Sequence, residues 1–437
     1  MTEFATRQIR AGSVPAIAPN PAVTPIYQTA AYEFASWEAA RDIFALRRAG
    51  NLYSRTGNPT QTVLEQRIAA LDGGVAALAT ASGQSSVAIA LLALAAPGGH
   101  IVAGSGLYGG TVDLLTDTFA DFGIGATLVD QDDPEAWRAA VRPETRAFFL
   151  ESIGNPTAAV ADIAAVAEIA HGSGVPLVVD NTIATPALLR PREHGADIVV
   201  YSATKHLGGH GSSLGGLIVD LGTFDYGAEP ARWPQFTEPY RRVGDVVLWD
   251  RFGRDGSAFI VYAKTKLSHD LGPALSPFNA HELLTGIETL DLRIRRQSES
   301  AAAIARHLDG HPAVSRVHHP VASGSPYGAL AARYLPDGVS GVFSFDLTAG
   351  AEAVPGFVDA LETFTLAANI GDARSLVIHP STTTHSHLDD GQLALAGFSR
   401  ATVRLSIGLE DPADLVEDLD EALKTIRTSG PATAKEA

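Results

Sequence analysis

From about residue 58 the chain repeats one rhythm, in which a short and almost wholly apolar run alternates with a helix-length stretch. The runs fall at residues 75–80, 100–103, 126–129, 147–150, 177–179, 198–201 and 217–219. Strands that are apolar on both faces must be covered on both faces, and parallel neighbours need crossover helices. The rhythm therefore specifies an α/β fold, a mostly parallel sheet flanked by helices. Its first helix is marked at both ends, by Asn58 as N-cap with Pro59 in the first turn, and by Gly73 as the stop.

The flanks read differently. Residues 1–57 lack the rhythm and carry Pro15, Pro19, Pro21 and Pro25, which predicts an extended N-terminal arm of the kind that embraces a neighbouring subunit. Residues 58–265 are expected to form the large domain, ending in an irregular aromatic and Pro-rich stretch beyond about residue 222. Residues 266–428 carry a long amphipathic segment near 281–308 and strands near 341–347 and 402–407, the pattern of a smaller C-terminal α+β domain. The tail, residues 429–437, is expected to fray.

Composition narrows the partners. The 437 residues are 46% apolar, enough for a sizeable core. Acidic residues number 49 and basic residues 32, a formal charge of -17, which repels nucleic acid and anionic membrane and leaves small molecules as the expected ligands. The longest apolar stretch, residues 87–96, is too short to span a bilayer, and the N-terminal MTEFATRQIR has no apolar signal core, so the expected location is cytoplasmic. With no cysteine, disulfides, thiolate nucleophiles and cysteine-ligated metals are excluded.

Four segments carry chemistry. In DIVVYSATKHLGGHG, residues 197–211, Lys205 lies just past a buried strand, flanked by Ser202 and Thr204 and followed by a glycine-rich turn. Alone, a strand-end lysine is a solvated charge. At the mouth of a parallel sheet it can instead be desolvated, which lowers its pKa and makes it a nucleophile towards an aldehyde, while the hydroxyls bind phosphate. Asp180, in LVVDNT, ends a strand so apolar that an unpartnered carboxylate there costs several kcal/mol. It caps the next helix or it faces a cation, and a protonated pyridine nitrogen is such a cation. Ala81-Ser82-Gly83-Gln84 joins a strand to a helix, either as a plain turn or as a helix start whose N–H groups, with Gly83 and Gln84, receive phosphate oxygens. Tyr53 and Arg55, at the end of the arm, offer a phenol and a guanidinium to the same phosphate, from the neighbouring subunit if the arm crosses. Together these residues describe a pyridoxal-phosphate (PLP) site.

Other motifs compete. Residues 104–109, GSGLYG, fit G-x-G-x-x-G after a strand and before a helix, with Asp130 about 20 residues on, the fingerprint of a dinucleotide site and of a nicotinamide-dependent dehydrogenase. Tyr108 inside that loop is equally suited to stack on a pyridoxal ring. His379, His385 and His387 in HPSTTTHSH, like His206 and His210, lack the acidic or thiolate partners of a metal site, and no metal is expected. Arg404, in the strand-like TVRLSIG, either pairs structurally or binds a carboxylate bidentately.

Read together, these segments make the chain resemble the Cys/Met-metabolism family of PLP enzymes, transferases of fold type I, and within it the O-acetylhomoserine sulfhydrylase branch. The carrying segments are YSRTGNPT at 53–60, ASGQSS at 81–86, LYGGT at 107–111, ESIGNP at 151–156, VVDNTIATP at 178–186, YSATKHLGGHG at 201–211, LSPFNA at 275–280, GIETLDLR at 286–293, NIGDARSLVIHPSTTTHS at 369–386 and VRLSIGLE at 403–410. The resemblance implies that Lys205 is the Schiff-base lysine and catalytic base, that Asp180 pairs the ring nitrogen, and that Tyr108 stacks on the ring and assists catalysis. Asn155 would contact the ring hydroxyl side. Gly83, Gln84, Ser202 and Thr204 would hold the phosphate with Tyr53 and Arg55 of the adjacent subunit. Arg404, with Asn155 and Asn369, would bind the substrate. It also implies a homotetramer built from dimers that share active sites.

The implied reaction is γ-replacement on O-acetyl-L-homoserine by sulfide or a small thiol, giving homocysteine or methionine and acetate. The same machinery serves O-succinylhomoserine sulfhydrylases, cystathionine γ-synthases and methionine γ-lyases. Two departures from the branch pattern bear on the substrate: TEPYRRVGDVV from residue 237, and HPSTTTH in place of HPASTTH.

Overall fold

The computed structural model describes residues 3–12, 21–386 and 388–428. Pro15, Pro19, His387 and the expected tail 429–437 lie outside the described residues.

Each of the seven apolar runs is a strand: β1 (Ala76–Thr80), β2 (His100–Gly104), β3 (Gly125–Val129), β4 (Thr145–Glu151), β5 (Leu177–Asp180), β6 (Ile198–Ser202) and β7 (Gly216–Asp220). They form one sheet in the order β1-β7-β6-β5-β4-β2-β3. Only β7 runs against its neighbours; the pairs between β6 and β3 are all parallel. Side chains alternate between two buried faces. In β4, Phe148 and Leu150 enter one core while Ala147 and Phe149 enter the other. That is the reason the runs are continuously apolar.

Helix Pro59–Asp72 starts and stops where the sequence requires: the Asn58 side chain accepts the Thr60 N–H, and Gly73 turns the chain with φ of 73°. The arm is not wholly extended. Residues 4–10 and 37–44 lie outside the proline cluster and form helices Phe4–Arg10 and Trp37–Phe44, the second capped by Ser36. Beyond β7 the aromatic stretch packs onto one face of the sheet through Tyr226, Trp233, Phe236 and Phe259, with the Tyr226 and Phe236 rings 4.4 Å apart. It includes a small hairpin of β8 (Pro239–Tyr240) and β9 (Val246–Val247).

The segment expected near 281–308 is two helices, Pro277–Ile287 and Leu290–Asp309, broken at residues 288–289. The second buries Leu290, Ile294, Gln297, Ala301, Ile304 and Leu308, one stripe at helical spacing. It covers a second sheet of β10 (Val314–His318), β11 (Val342–Leu347), β12 (Thr365–Leu366), β13 (Leu376–Ile378) and β14 (Thr402–Ser406), ordered β10-β11-β14-β13-β12. Among the described residues no helix is long and apolar enough to cross a membrane.

Candidate active site

The carboxyl ends of β1, β2, β4, β5 and β6 converge, and the turns that follow them line a cavity of about 590 Å³. Open parallel sheets place ligands at this edge, where the strands end and helices begin. The second sheet closes the cavity through β14 and the segment before β13, which bring Arg404, Ala368, Asn369 and Ile370.

Lys205 lies three residues past β6. Its Nζ donates to Asn369 Oδ1 at 2.7 Å. Burial, reinforced by the nearby Arg404 cation, brings its pKa down to about 8, so roughly a tenth of the amine is free base at pH 7, far more than for an ordinary lysine. Its loop is clamped from the C-terminal side: the buried Arg293 donates to the main-chain oxygens of His206 at 2.8 Å and Gly286 at 2.7 Å. Gly209 is required beside it, because a Cβ there would lie 2.0 Å from the Arg293 guanidinium. Arg293 stands in the quoted GIETLDLR, but its clamp on the lysine loop spans 87 residues and leaves no local signal.

Asp180 ends β5. Its Oδ1 accepts the Thr182 N–H at 2.9 Å, and burial raises its pKa to about 6. Among the described residues no lysine or arginine forms an ion pair with it, which leaves it a seat for a cationic ring nitrogen. Beside it, at the end of the parallel neighbour β4, stands Glu151, a cavity residue that sequence reasoning did not single out.

Helix Gly83–Leu94 begins at the cavity. Ser82 and Ser85 cap each other reciprocally, and Gly83 presses against β6 so closely that a Cβ would lie 2.4 Å from that of Ser202. Only glycine lets this helix start meet Ser202, and the two together form a cradle suited to phosphate. Gln84 lines the cavity and donates to the Gly110 oxygen at 2.7 Å. Thr204 lines it too, but its hydroxyl is committed to the Gly215 main chain, at 3.2 Å to the oxygen and 3.0 Å from the N–H. Thr182, whose hydroxyl accepts the Ser202 N–H, is a further lining residue not foreseen.

Tyr53 and Arg55 do not line the cavity of their own chain. Arg55 reaches the His269 oxygen at 3.1 Å and stands over the Tyr53 ring.

Arg404, on β14, is fully buried against the cavity. Its guanidinium donates to neutral oxygens, Asn155 Oδ1 at 3.2 Å and the Asn369 main chain at 3.0 Å, while its Nε has no hydrogen-bond partner. Burial lowers its pKa to about 10, which still leaves it cationic. A buried cation supported only by neutral oxygens is a receptor for a carboxylate. Tyr108 lines the same cavity, half exposed.

The competing motifs separate from this site. Asp130, the residue a dinucleotide would need, is exposed and lines another cavity. His379 is engaged by Thr382 and the Arg400 oxygen, and the His385 ring packs on Phe398. Arg242 is held by Asp270 at 2.6 and 2.8 Å, and neither it nor Arg241 lines the cavity of this chain.

The residues fit PLP. The desolvated amine, the buried carboxylate without a cation and the glycine-only cradle are the three features such a cofactor requires. Comparisons agree. The chain is 47% identical to O-acetyl-L-homoserine sulfhydrylase of Leptospira meyeri, over 93% of this chain and 94% of that one. It is 44% identical to the protein of the same name from Corynebacterium glutamicum, over 97% of each. Among solved structures, a putative O-acetylhomoserine (thiol)-lyase from Campylobacter jejuni, which carries an N′-pyridoxyl-lysine-5′-monophosphate, superposes with a TM-score of 0.93 at 36% identity, over 97% of this chain and 100% of that one. Residues 5–424 match the model of the Cys/Met metabolism PLP-dependent enzymes, and the chain, an enzyme dependent on pyridoxal phosphate, belongs to that family.

Proposed function

We propose that this enzyme replaces the acetyl ester of O-acetyl-L-homoserine with sulfide, giving L-homocysteine and acetate, with small thiols as slower nucleophiles. The observation that carries the reading is the Arg404 guanidinium facing the same cavity as Lys205, with Asn369 touching both. It suits an α-amino acid held by its carboxylate with its Cα near an amine. The acetyl leaving group and the sulfide are supported by the shared name of the two relatives and by the NIGDARSLVIHP segment that supplies Asn369.

PLP, when bound, supplies an aldehyde for amine exchange and a sink for the electrons of a broken Cα–H bond. Asp180 is the proposed partner of its ring nitrogen, Tyr108 and Asn155 its ring contacts, and Gly83, Gln84 and Ser202 its phosphate side, while Thr204 lines the cavity with its hydroxyl committed to Gly215. Lys205, partly unprotonated near neutral pH, takes the Cα proton and returns protons later. Asn369 orients that amine through Oδ1 and steadies Arg404 through its main-chain oxygen. Arg404 fixes the substrate carboxylate. Across the reaction acetate leaves Cγ with the bonding pair, and sulfide forms the new bond there.

The assembly proposed with this reading is a homotetramer of dimers in which Tyr53 and Arg55 complete the neighbour's phosphate site. Exposed apolar side chains on the arm support it: Trp37 is 78% exposed, and Val23 and Phe44 are each 63% exposed.

Offering the acetyl and succinyl esters of homoserine together with sulfide tests the substrate. Homocysteine and acetate should dominate. Predominant succinate release, or rapid 2-oxobutyrate formation without any nucleophile, would show the reading wrong.

A further inference from the structure

Glu151 closes β4, and the parallel register sets it directly beside Asp180. Registered neighbours in a parallel pair point to the same face, and both carboxyl groups line the cavity. Glu151 Oε1 accepts the main-chain N–H of Tyr108, and the main-chain N–H of Asn155 favours the charged form of the same carboxyl group. One side chain thus ties the loop after β2 to the end of β4, and the loops after these two strands carry the proposed ring contacts. Among the described residues no lysine or arginine forms an ion pair with it.

Two carboxyl groups side by side in a buried pocket do not both ionise at modest cost, and a single ring cation balances one negative charge. We propose that Glu151 is a positioning residue that stays neutral, anchoring Tyr108 by its main-chain N–H from the end of β4 while Asp180 alone carries the negative charge facing the cofactor ring. This rests on Asp180 being the partner of that ring.

The order of ionisation follows from the surroundings. Burial and then the Asp180 charge push Glu151 well above the carboxylate range. Asp180 is raised only to about 6, because the hydroxyl and N–H of Thr182 stabilise its anion. A neutral carboxyl group keeps an acceptor oxygen for the Tyr108 N–H, and its own proton is available to a neighbouring anion.

The test separates acceptor position from charge. Glu151→Gln keeps the acceptor oxygen and cannot ionise, whereas Glu151→Asp keeps an ionisable carboxyl group and withdraws the acceptor by one methylene. The readouts are the affinity of each apoenzyme for PLP and the induced visible circular dichroism of the bound cofactor, which reports ring orientation. E151Q should bind PLP within about threefold of wild type and keep its dichroism. E151D and E151A should bind about tenfold or more weakly, as expected for a lost hydrogen bond to a buried group, with diminished dichroism. If E151A does not fold, the other two variants decide.

An E151D enzyme indistinguishable from wild type, or an E151Q enzyme with the loss expected of E151D, would overturn the proposal. Asp180→Asn with unchanged cofactor affinity and spectrum would overturn the Asp180 assignment instead, and the proposal with it.

Discussion

Lys205 is distinguished from the other lysines by its surroundings. Its amine sits in a cavity closed by the second sheet, lowered to about 8 by burial and by Arg404, and oriented by Asn369. Replacing it with alanine removes a cavity amine and no core packing, so Lys205→Ala should fold normally and lose turnover by at least about a hundredfold, the low end for a general base. Borohydride should then no longer fix a pyridoxyl group to the 197–211 peptide, which mass spectrometry reads directly. A variant that still carries reducible pyridoxyl on that peptide would show the assignment wrong.

At the scale of elements, three of the strand ends that serve the cavity, those of β4, β5 and β6, have a counterpart on the opposite face. Next to Glu151, Asp180 and Ser202 in sequence stand Ser152, Asn181 and Tyr201, and these three join hands away from the site. Ser152 Oγ donates to Asn181 Oδ1 at 2.8 Å, Asn181 Nδ2 donates to the Tyr201 hydroxyl at 3.1 Å, and that hydroxyl donates to Asp72 Oδ1 at 2.8 Å. The network locks the ends of β4, β5 and β6 to helix Pro59–Asp72, so the catalytic face inherits a fixed spacing. Asp72 is fully buried, and burial raises its pKa to about 7.

A carboxyl group raised in the folded state holds its proton where the unfolded chain has already lost it. The native state therefore binds more protons between the unfolded value of about 4 and about 7, and stability falls as pH rises through that window, by at most about 1.4 kcal/mol per pH unit for this group. Asp72→Asn cannot ionise and keeps an acceptor for Tyr201. Urea midpoints at pH 5 and pH 8 should therefore differ less in the variant than in wild type, and an unchanged difference would remove Asp72 from the account.

The whole molecule raises the question of where Tyr53 and Arg55 act. They stand at the end of an arm with exposed apolar side chains and outside the cavity of their own chain. If they complete a neighbour's site, an Arg55→Ala chain and a Lys205→Ala chain are each defective, but a mixed dimer contains one site with both residues intact. Random mixing of the two should restore roughly a quarter of wild-type activity in a two-fold symmetric dimer. No recovery, under conditions where mixed dimers are shown to form, would argue that each chain uses its own Arg55.

What the sequence by itself determined is what short-range pattern encodes. Seven apolar runs became seven strands because a strand buried on both faces has no polar positions to spare, and Asn58, Pro59 and Gly73 bounded a helix because capping is a local matter. Lys205, Asp180, Gly83 and Gln84 were legible as candidates because each ends or follows a strand, and the ends of parallel strands are where ligands bind. Tertiary structure alone decided the rest. Glu151 looks like any strand-end carboxylate until the β4–β5 register sets it against Asp180, and Arg293 acts on the lysine loop from 87 residues away. The break at residues 288–289 sits inside a continuously amphipathic stretch. Whether Thr204 offers its hydroxyl to a phosphate or to Gly215 depended on how β7 returns beside β6, because a hydrogen bond is assigned by proximity in space and not by residue type.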